Sequence, residues 1–157
     1  MPTLKQTRNI YEYISGYIDG EGCFSVSFSK REKFLVGWET KPSFSVSQNE
    51  DRAQILLLIQ KTFQCGHIRR DYGDKTLKYE VRSLDELIAH VIPHFEKYPL
   101  LSHKQHDFEC FKKVCLLMEK ESHKDKNGLA KIIHLAFQMN PSGKRKYTQV
   151  MMLAAMR

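Results

Sequence analysis

The chain has 157 residues, 41% hydrophobic and 27% charged, with 25 Lys and Arg against 18 Asp and Glu for a net charge of +7. That composition supports one domain with its own core and excludes a disordered or low-complexity chain. Its basic balance points to a polyanionic partner, nucleic acid first. Cys23, Cys65, Cys110 and Cys115 form no CxxC pair, which excludes a disulfide scaffold and a structural zinc site; with no run of about 18 apolar residues, no membrane span is expected.

Met1 to Ile10 is short and polar, so neither a secretory signal nor an import peptide is expected there. Ile10 to Asp19 has the period of a helix, with Ile10, Ile14 and Tyr17 on one stripe, and Gly20 and Gly22 end it. Cys23 to Ser29 then alternates strictly: Phe24, Val26 and Phe28 on one side, Ser25, Ser27 and Ser29 on the other. That is the pattern of a half-buried strand. After a basic connection over Lys30 to Phe34, a second strand sets Phe44 and Val46 against Lys41, Ser43, Ser45 and Ser47. Pro42 argues against a central, fully paired position for it.

Asp51 is placed to cap a helix running to about Phe63, which Cys65-Gly66 stops. Two short strands, about His67 to Asp71 and Leu77 to Arg82, flank the turn Tyr72-Gly73-Asp74-Lys75. A helix over Leu84 to Ile92 is limited by Pro93. Another helix spans His103 to Lys120 after the loop Pro99-Leu100-Leu101-Ser102. Gly128 to Asn140 reads as helix, and Lys144 to Arg157 as a last one. The histidine pairs His90/His94 and His103/His106 lack further ligands at metal spacing and read as surface residues. Met118, Met139, Met151, Met152 and Met156 read as packing residues. The result is an α+β domain, a four-stranded antiparallel sheet with helices on one face and a polar opposite face. One domain over 1–157 is expected, with its core at about 10–120 and a helical extension over 121–157.

Ile14-Ser15-Gly16-Tyr17-Ile18-Asp19-Gly20-Glu21-Gly22 carries the most chemistry. Gly16 and Gly20 share a helix face and would let another backbone come close. The helix ends in two acids around a glycine, where free carbonyls and partial negative charge favour a hard cation. Two such helices side by side would bring two carboxylates together. Asp-Gly-Glu-Gly between helix and strand is equally an ordinary turn.

This segment resembles the motif that names the LAGLIDADG homing endonucleases, with Ser15 and Tyr17 as departures. Pro42-Ser43-Phe44-Ser45-Val46-Ser47-Gln48, Cys65-Gly66-His67-Ile68 and Tyr98 to Phe108 resemble further family segments, in order, over about Ile10 to Lys120. The resemblance implies the αββαββα fold and a homodimer packed through the first helix, at Ile14, Gly16, Tyr17 and Gly20. It makes Glu21 the metal-binding carboxylate, with the Gly20 carbonyl on the same cation and Asp19 structural. Gln48 and Arg52 match polar and basic residues near the site. The family's lysine falls at Ser102 or Lys104, and Lys104 is preferred. Implied cofactors are Mg²⁺ for cutting, Mn²⁺ as its substitute, and Ca²⁺ for binding alone.

The partner so implied is double-stranded DNA, cut with a stagger at the centre of a long, partly palindromic site, with intron mobility as the biology. An organelle or the cytoplasm is the expected location. A strand of ~9 residues spans ~30 Å, or about nine base pairs, so two subunits would cover roughly 18–22. Candidate DNA contacts are Ser25, Ser27, Ser29, Arg31, Glu39, Lys41, Ser43, Ser45, Arg69, Lys78, Glu80 and Arg82; Lys112, Lys113, Lys144, Arg145 and Lys146 read either as phosphate contacts or, as isolated clusters more often are, as solvated faces. The rival readings on the same fold are an RNA maturase and a DNA-binding regulator that does not cut.

Overall fold

The computed structural model describes residues 9–157, so residues 1–8 of the polar lead lie outside the described residues. The Asn9 side chain accepts hydrogen bonds from the Tyr11 and Glu12 N–H groups and opens α1 (Ile10–Glu21), as an amide oxygen at an N-cap does. The helix buries Ile14, Ser15 and Ile18. It runs two residues beyond the expected end at Asp19, because the chain turns only at Gly22. A Cβ at Gly22 would stand 2.5 Å from Ile18 Cγ2, so glycine lets the helix pass straight into β1 (Gly22–Lys30).

β1 pairs antiparallel with β2 (Trp38–Asn49). After α2 (Gln54–Phe63), the hairpin of β3 (His67–Asp71) and β4 (Thr76–Val81) completes a four-stranded sheet in the order β1-β2-β4-β3. β2 is therefore central despite Pro42. β4 pairs only with Phe44 to Asn49, so Pro42, opposite Val26, lies where β2 has one neighbour. A missing N–H is tolerated at such a position.

Three local expectations are corrected. Asp51 does not cap α2: Glu50–Arg52 forms a 3₁₀ turn, and α2 starts after Ala53 without a side-chain cap. Pro93 does not end its helix. Ser83 caps α3 (Leu84–Glu86), a π-turn follows over Leu87–Val91, and α4 (Ile92–Lys97) continues with Pro93 in its first turn. The wider turn absorbs the residue that cannot donate an N–H. The last helix is also shorter than expected. After α5 (Lys104–Glu119) and α6 (Lys126–Phe137), α7 covers only Gln149–Ala154, capped by Thr148.

The apolar sheet face meets the helices through aromatic packing. The Phe24 ring lies 5.2 Å from Phe44, 5.3 Å from Phe95 and Phe111, and 5.4 Å from Phe108. Ile14 and Ile18 of α1 belong to this core, as do Ile132, Ala136 and Met139 from the C-terminal segment. A second cluster of Val36, Trp38, Leu129, Ile133 and Met152 fastens the far end of the β1–β2 hairpin to α6 and α7. Residues after 120 are thus continuous with the core. Among the described residues no helix is long and apolar enough to cross a membrane.

Candidate metal centre and nucleic-acid interface

The carboxyl end of α1 gathers most of the residues singled out for chemistry. Asp19 accepts from the backbone N–H of Leu101 at 3.0 Å, from that of Ser102 at 3.0 Å, and from the Ser102 hydroxyl. Burial pushes the Asp19 carboxyl up, but these bonds and the Lys104 charge outweigh it and hold the group below the usual carboxylate range. Its oxygens are occupied, and it ties α1 to the loop ahead of α5. Lys104 Nζ donates to the Ile18 carbonyl at 3.1 Å, a favourable place for a cation at a helix carboxyl end. Gln48 Nε2 donates to the Tyr17 hydroxyl at 2.7 Å, and its Oε1 accepts from the Asn49 N–H at 2.8 Å. Gly22 lies opposite Val46 in the sheet register, which brings Glu21 to the same end of β2 as Gln48. Arg52 stands further out on the 3₁₀ turn, 75% exposed and 3.9 Å from Asp51.

Glu21 is exposed and enters none of the ion pairs among the described residues. A free carboxylate beside the carbonyls that end a helix is an oxygen-only donor set, which suits a hard divalent cation. It is incomplete alone, since such a cation takes about six oxygens and no group of three or more His, Cys, Asp or Glu is assembled for one among the described residues. The remaining ligands must come from water, substrate or a second unit.

One face of α1 stands open. A Cβ at Gly16 or Gly20 would meet nothing within 4 Å. Tyr17 is half-buried beside them, and Tyr13, 47% exposed, continues the face one turn earlier. Tyr13 was missed in the sequence, although its spacing from Gly16, Tyr17 and Gly20 follows the helical period. Ile14 does not belong to this face. Its side chain is fully buried in the chain's own core, one position round the helix from the exposed stripe.

The polar sheet face is present, and its charges are already paired. Ser25 lies opposite Ser43, Ser27 opposite Lys41, and Ser29 opposite Glu39. Glu39 holds Arg31 Nε at 2.9 Å and Lys41 Nζ at 3.4 Å. Arg31 keeps its carboxyl below the usual range, against a desolvation cost and with help from Lys41. Ser45 and Glu80 are buried at 7% and 3% exposure, so they are not the free contacts expected of them. Arg31, Lys41, Arg69, Lys78 and Arg82 outnumber the two carboxylates, and the face keeps a net positive charge.

Sequence reasoning also gave Arg145 the wrong work. β1 is an edge strand. Its Val26 carbonyl accepts from Arg145 Nη1 at 2.8 Å, and its Phe24 carbonyl from Asn140 Nδ2 at 2.8 Å. Arg145 Nη2 donates to the Ala136 carbonyl at 2.7 Å, and the guanidinium lies 4.7 Å from the Phe137 ring centre. The segment closes the sheet edge. Lys144 and Lys146 remain exposed beside it.

A family model described as LAGLIDADG endonuclease matches residues 14–115. A relative from Neurospora crassa, named probable intron-encoded endonuclease 2, is 33% identical over 129 residues, 82% of this chain and 28% of its own. The crystal structure of a homing endonuclease, I-TnaI, is similar with a TM-score of 0.80 and 30% identity, covering 92% of this chain and 94% of that one. I-SmaMI bound to uncleaved DNA target in the presence of calcium ions is similar with a TM-score of 0.82 and 32% identity, covering 87% of this chain and 46% of that one. The chain spans 25–28% of the length of three curated relatives that it matches.

Proposed function

The chain belongs to the LAGLIDADG endonuclease family, and from that premise we propose that it is a site-specific DNA endonuclease that works as a homodimer and promotes the mobility of an intron. The observation that carries this reading is Glu21. One free carboxylate stands at the end of a helix whose Gly16–Gly20 face is open. Pairing two chains through that face brings two Glu21 carboxylates toward one axis, where each supplies half of what a phosphodiester site requires. The intron-encoded relative supports the biological role, and an organelle is the place to look for it.

Metal dependence is general in this family, and Mg²⁺ is the cation proposed for cutting. Bound there, a divalent cation would polarise the phosphodiester and make an attacking water more acidic. Glu21 and the Gly20 carbonyl hold the cation side of the site. Gln48, aimed by the Tyr17 hydroxyl, offers an amide to orient the water. Lys104, poised on the Ile18 carbonyl, is the cation for the developing charge on phosphate oxygens. Ser102 spends its hydroxyl on Asp19, which supports Lys104 over Ser102 in that role. The polar sheet face lies in the major groove of each half-site.

The test begins with selection from random duplex DNA in Ca²⁺, followed by addition of Mg²⁺. A long, partly palindromic site cut at its centre is expected. The Glu21→Gln variant should bind that site as the parent does and cut it at least about a hundredfold more slowly. Cutting that survives the change would overturn the assignment. A palindrome bound but never cut by the parent would leave a regulator, and no enrichment of any duplex site would leave a maturase.

A further inference from the structure

One carboxylate on the polar sheet face is wrongly placed for a DNA reader. Glu80 is 3% exposed, although β4 directs it to the same side as Lys78 and Arg82. It faces Ser45 across one ladder and His67 across the other. Arg82 Nε lies 3.2 Å and Arg69 Nε 3.5 Å from its Oε2, and Lys78 Nζ lies 3.8 Å from Oε1. His67 Nε2 stands 3.9 Å from Oε2 as well. The cations reach solvent above it, with side chains 43% exposed at Arg69, 29% at Lys78 and 68% at Arg82. A glutamate that reads a cytosine must present an oxygen to the groove. Glu80 is covered by its own cations instead.

We propose that Glu80 is a positioning residue that fixes Arg69, Lys78 and Arg82 in one array and so separates cognate from random DNA. The inference rests on the DNA-binding reading above. Long basic side chains lose rotamer entropy when a complex orders them, and side chains ordered beforehand lose less. A cognate site meets these cations where they stand. A random duplex draws them toward phosphates and strips a buried carboxylate of its partners, which is costly. Glu80 also offsets one positive charge of the face, which weakens sequence-independent attraction. Burial would raise the Glu80 carboxyl, but Lys78, Arg82 and Arg69 together hold it below the usual range, so it is charged at neutral pH.

Glu80→Gln keeps the shape and removes the charge, and a urea melt establishes that it folds. In the DNA-free protein, the Nε–H resonances of Arg69 and Arg82 should lose protection from solvent exchange. Affinity for random duplex should rise about threefold, and the slope of log affinity against log salt should steepen by up to about 0.9. The ratio of cognate to random affinity should fall by a comparable factor. Glu80→Asp, with the charge kept on a shorter arm, should restore the salt slope but not the ordering of the arginines. Unchanged ordering, slope and ratio in Glu80→Gln would overturn the proposal. So would a loss of preference confined to one base pair, which would make Glu80 a direct reader. If the parent protein bound no duplex DNA, the DNA reading would fail, and the resonances would still decide whether Glu80 orders the arginines.

Discussion

His94 is 9% exposed and packs against Phe63 and Phe95, with ring centres at 5.0 and 4.8 Å. Ser15 gives its one hydroxyl proton to the Tyr98 carbonyl at 2.6 Å. The contact between Ser15 Oγ and His94 Nε2 at 3.0 Å therefore has the histidine donating, which places a proton on Nε2. Burial pulls its pKa down to about 4, while in the unfolded chain the ring titrates near ~6.5. As pH falls between those values, the unfolded state gains a proton that the native state lacks. Stability is lost across that window, by on the order of 3 kcal/mol when complete. Asp19 and Glu80 act lower: both are depressed, so their contribution is intact above the ordinary carboxylate range and is lost as pH falls beneath it. Urea melts from pH 7 to 4.5 should show a falling midpoint, flattened in His94→Gln. An equal slope in both proteins would move the effect to other groups. The sequence could not reveal this residue, since two histidines four apart look alike on a regular helix. The π-turn over Leu87–Val91 changes the phase and turns His94 inward while His90 stays exposed.

Among the elements, those with strict periods were legible. The alternation of Phe24, Val26 and Phe28 with serines, and of Leu77, Tyr79 and Val81 with charges, marks both strands and the side each buries. The Tyr72 to Lys75 turn fixes the β3–β4 hairpin. The connections made by tertiary context were not legible. No local pattern says that Asn140 and Arg145, more than 100 residues on, will supply donors to the carbonyls of β1. A run of Lys144-Arg145-Lys146 reads as a solvated or phosphate-binding cluster, and only burial separates its middle member from its neighbours. Arg145→Met should therefore destabilise the protein by roughly 2 kcal/mol, because it leaves two carbonyls without a charged donor. Lys144→Met and Lys146→Met should fall within about 0.5 kcal/mol of the parent. Chemical denaturation of the three variants checks this, and equal losses would show that Arg145 is no more than a surface residue.

At the scale of the whole molecule, α1 divides its residues between two loyalties. Ile14, Ser15 and Ile18 serve the chain's own core, Tyr17 packs half-buried against its edge, and Tyr13, Gly16 and Gly20 face outward. Glu21 stands where that outward face ends. The Leu101 backbone N–H is held by the Asp19 carboxylate of the same helix, and its apolar side chain is left 95% exposed. The arrangement is economical if a second unit covers it, and the glycines make that testable without harming the fold. A Cβ at Gly16 would meet nothing within 4 Å beyond its own stretch of helix, and most residues favour a helix over glycine by up to about 1 kcal/mol. Gly16→Leu should leave the isolated subunit as stable as the parent, or more so. The same side chain would hold a second helix backbone away, so pairing and cutting should both be lost. Mass measurement on the DNA site, alongside a thermal melt, decides it: a stable subunit that no longer pairs is expected, and a Gly16→Leu dimer that still forms and cuts would place the interface elsewhere.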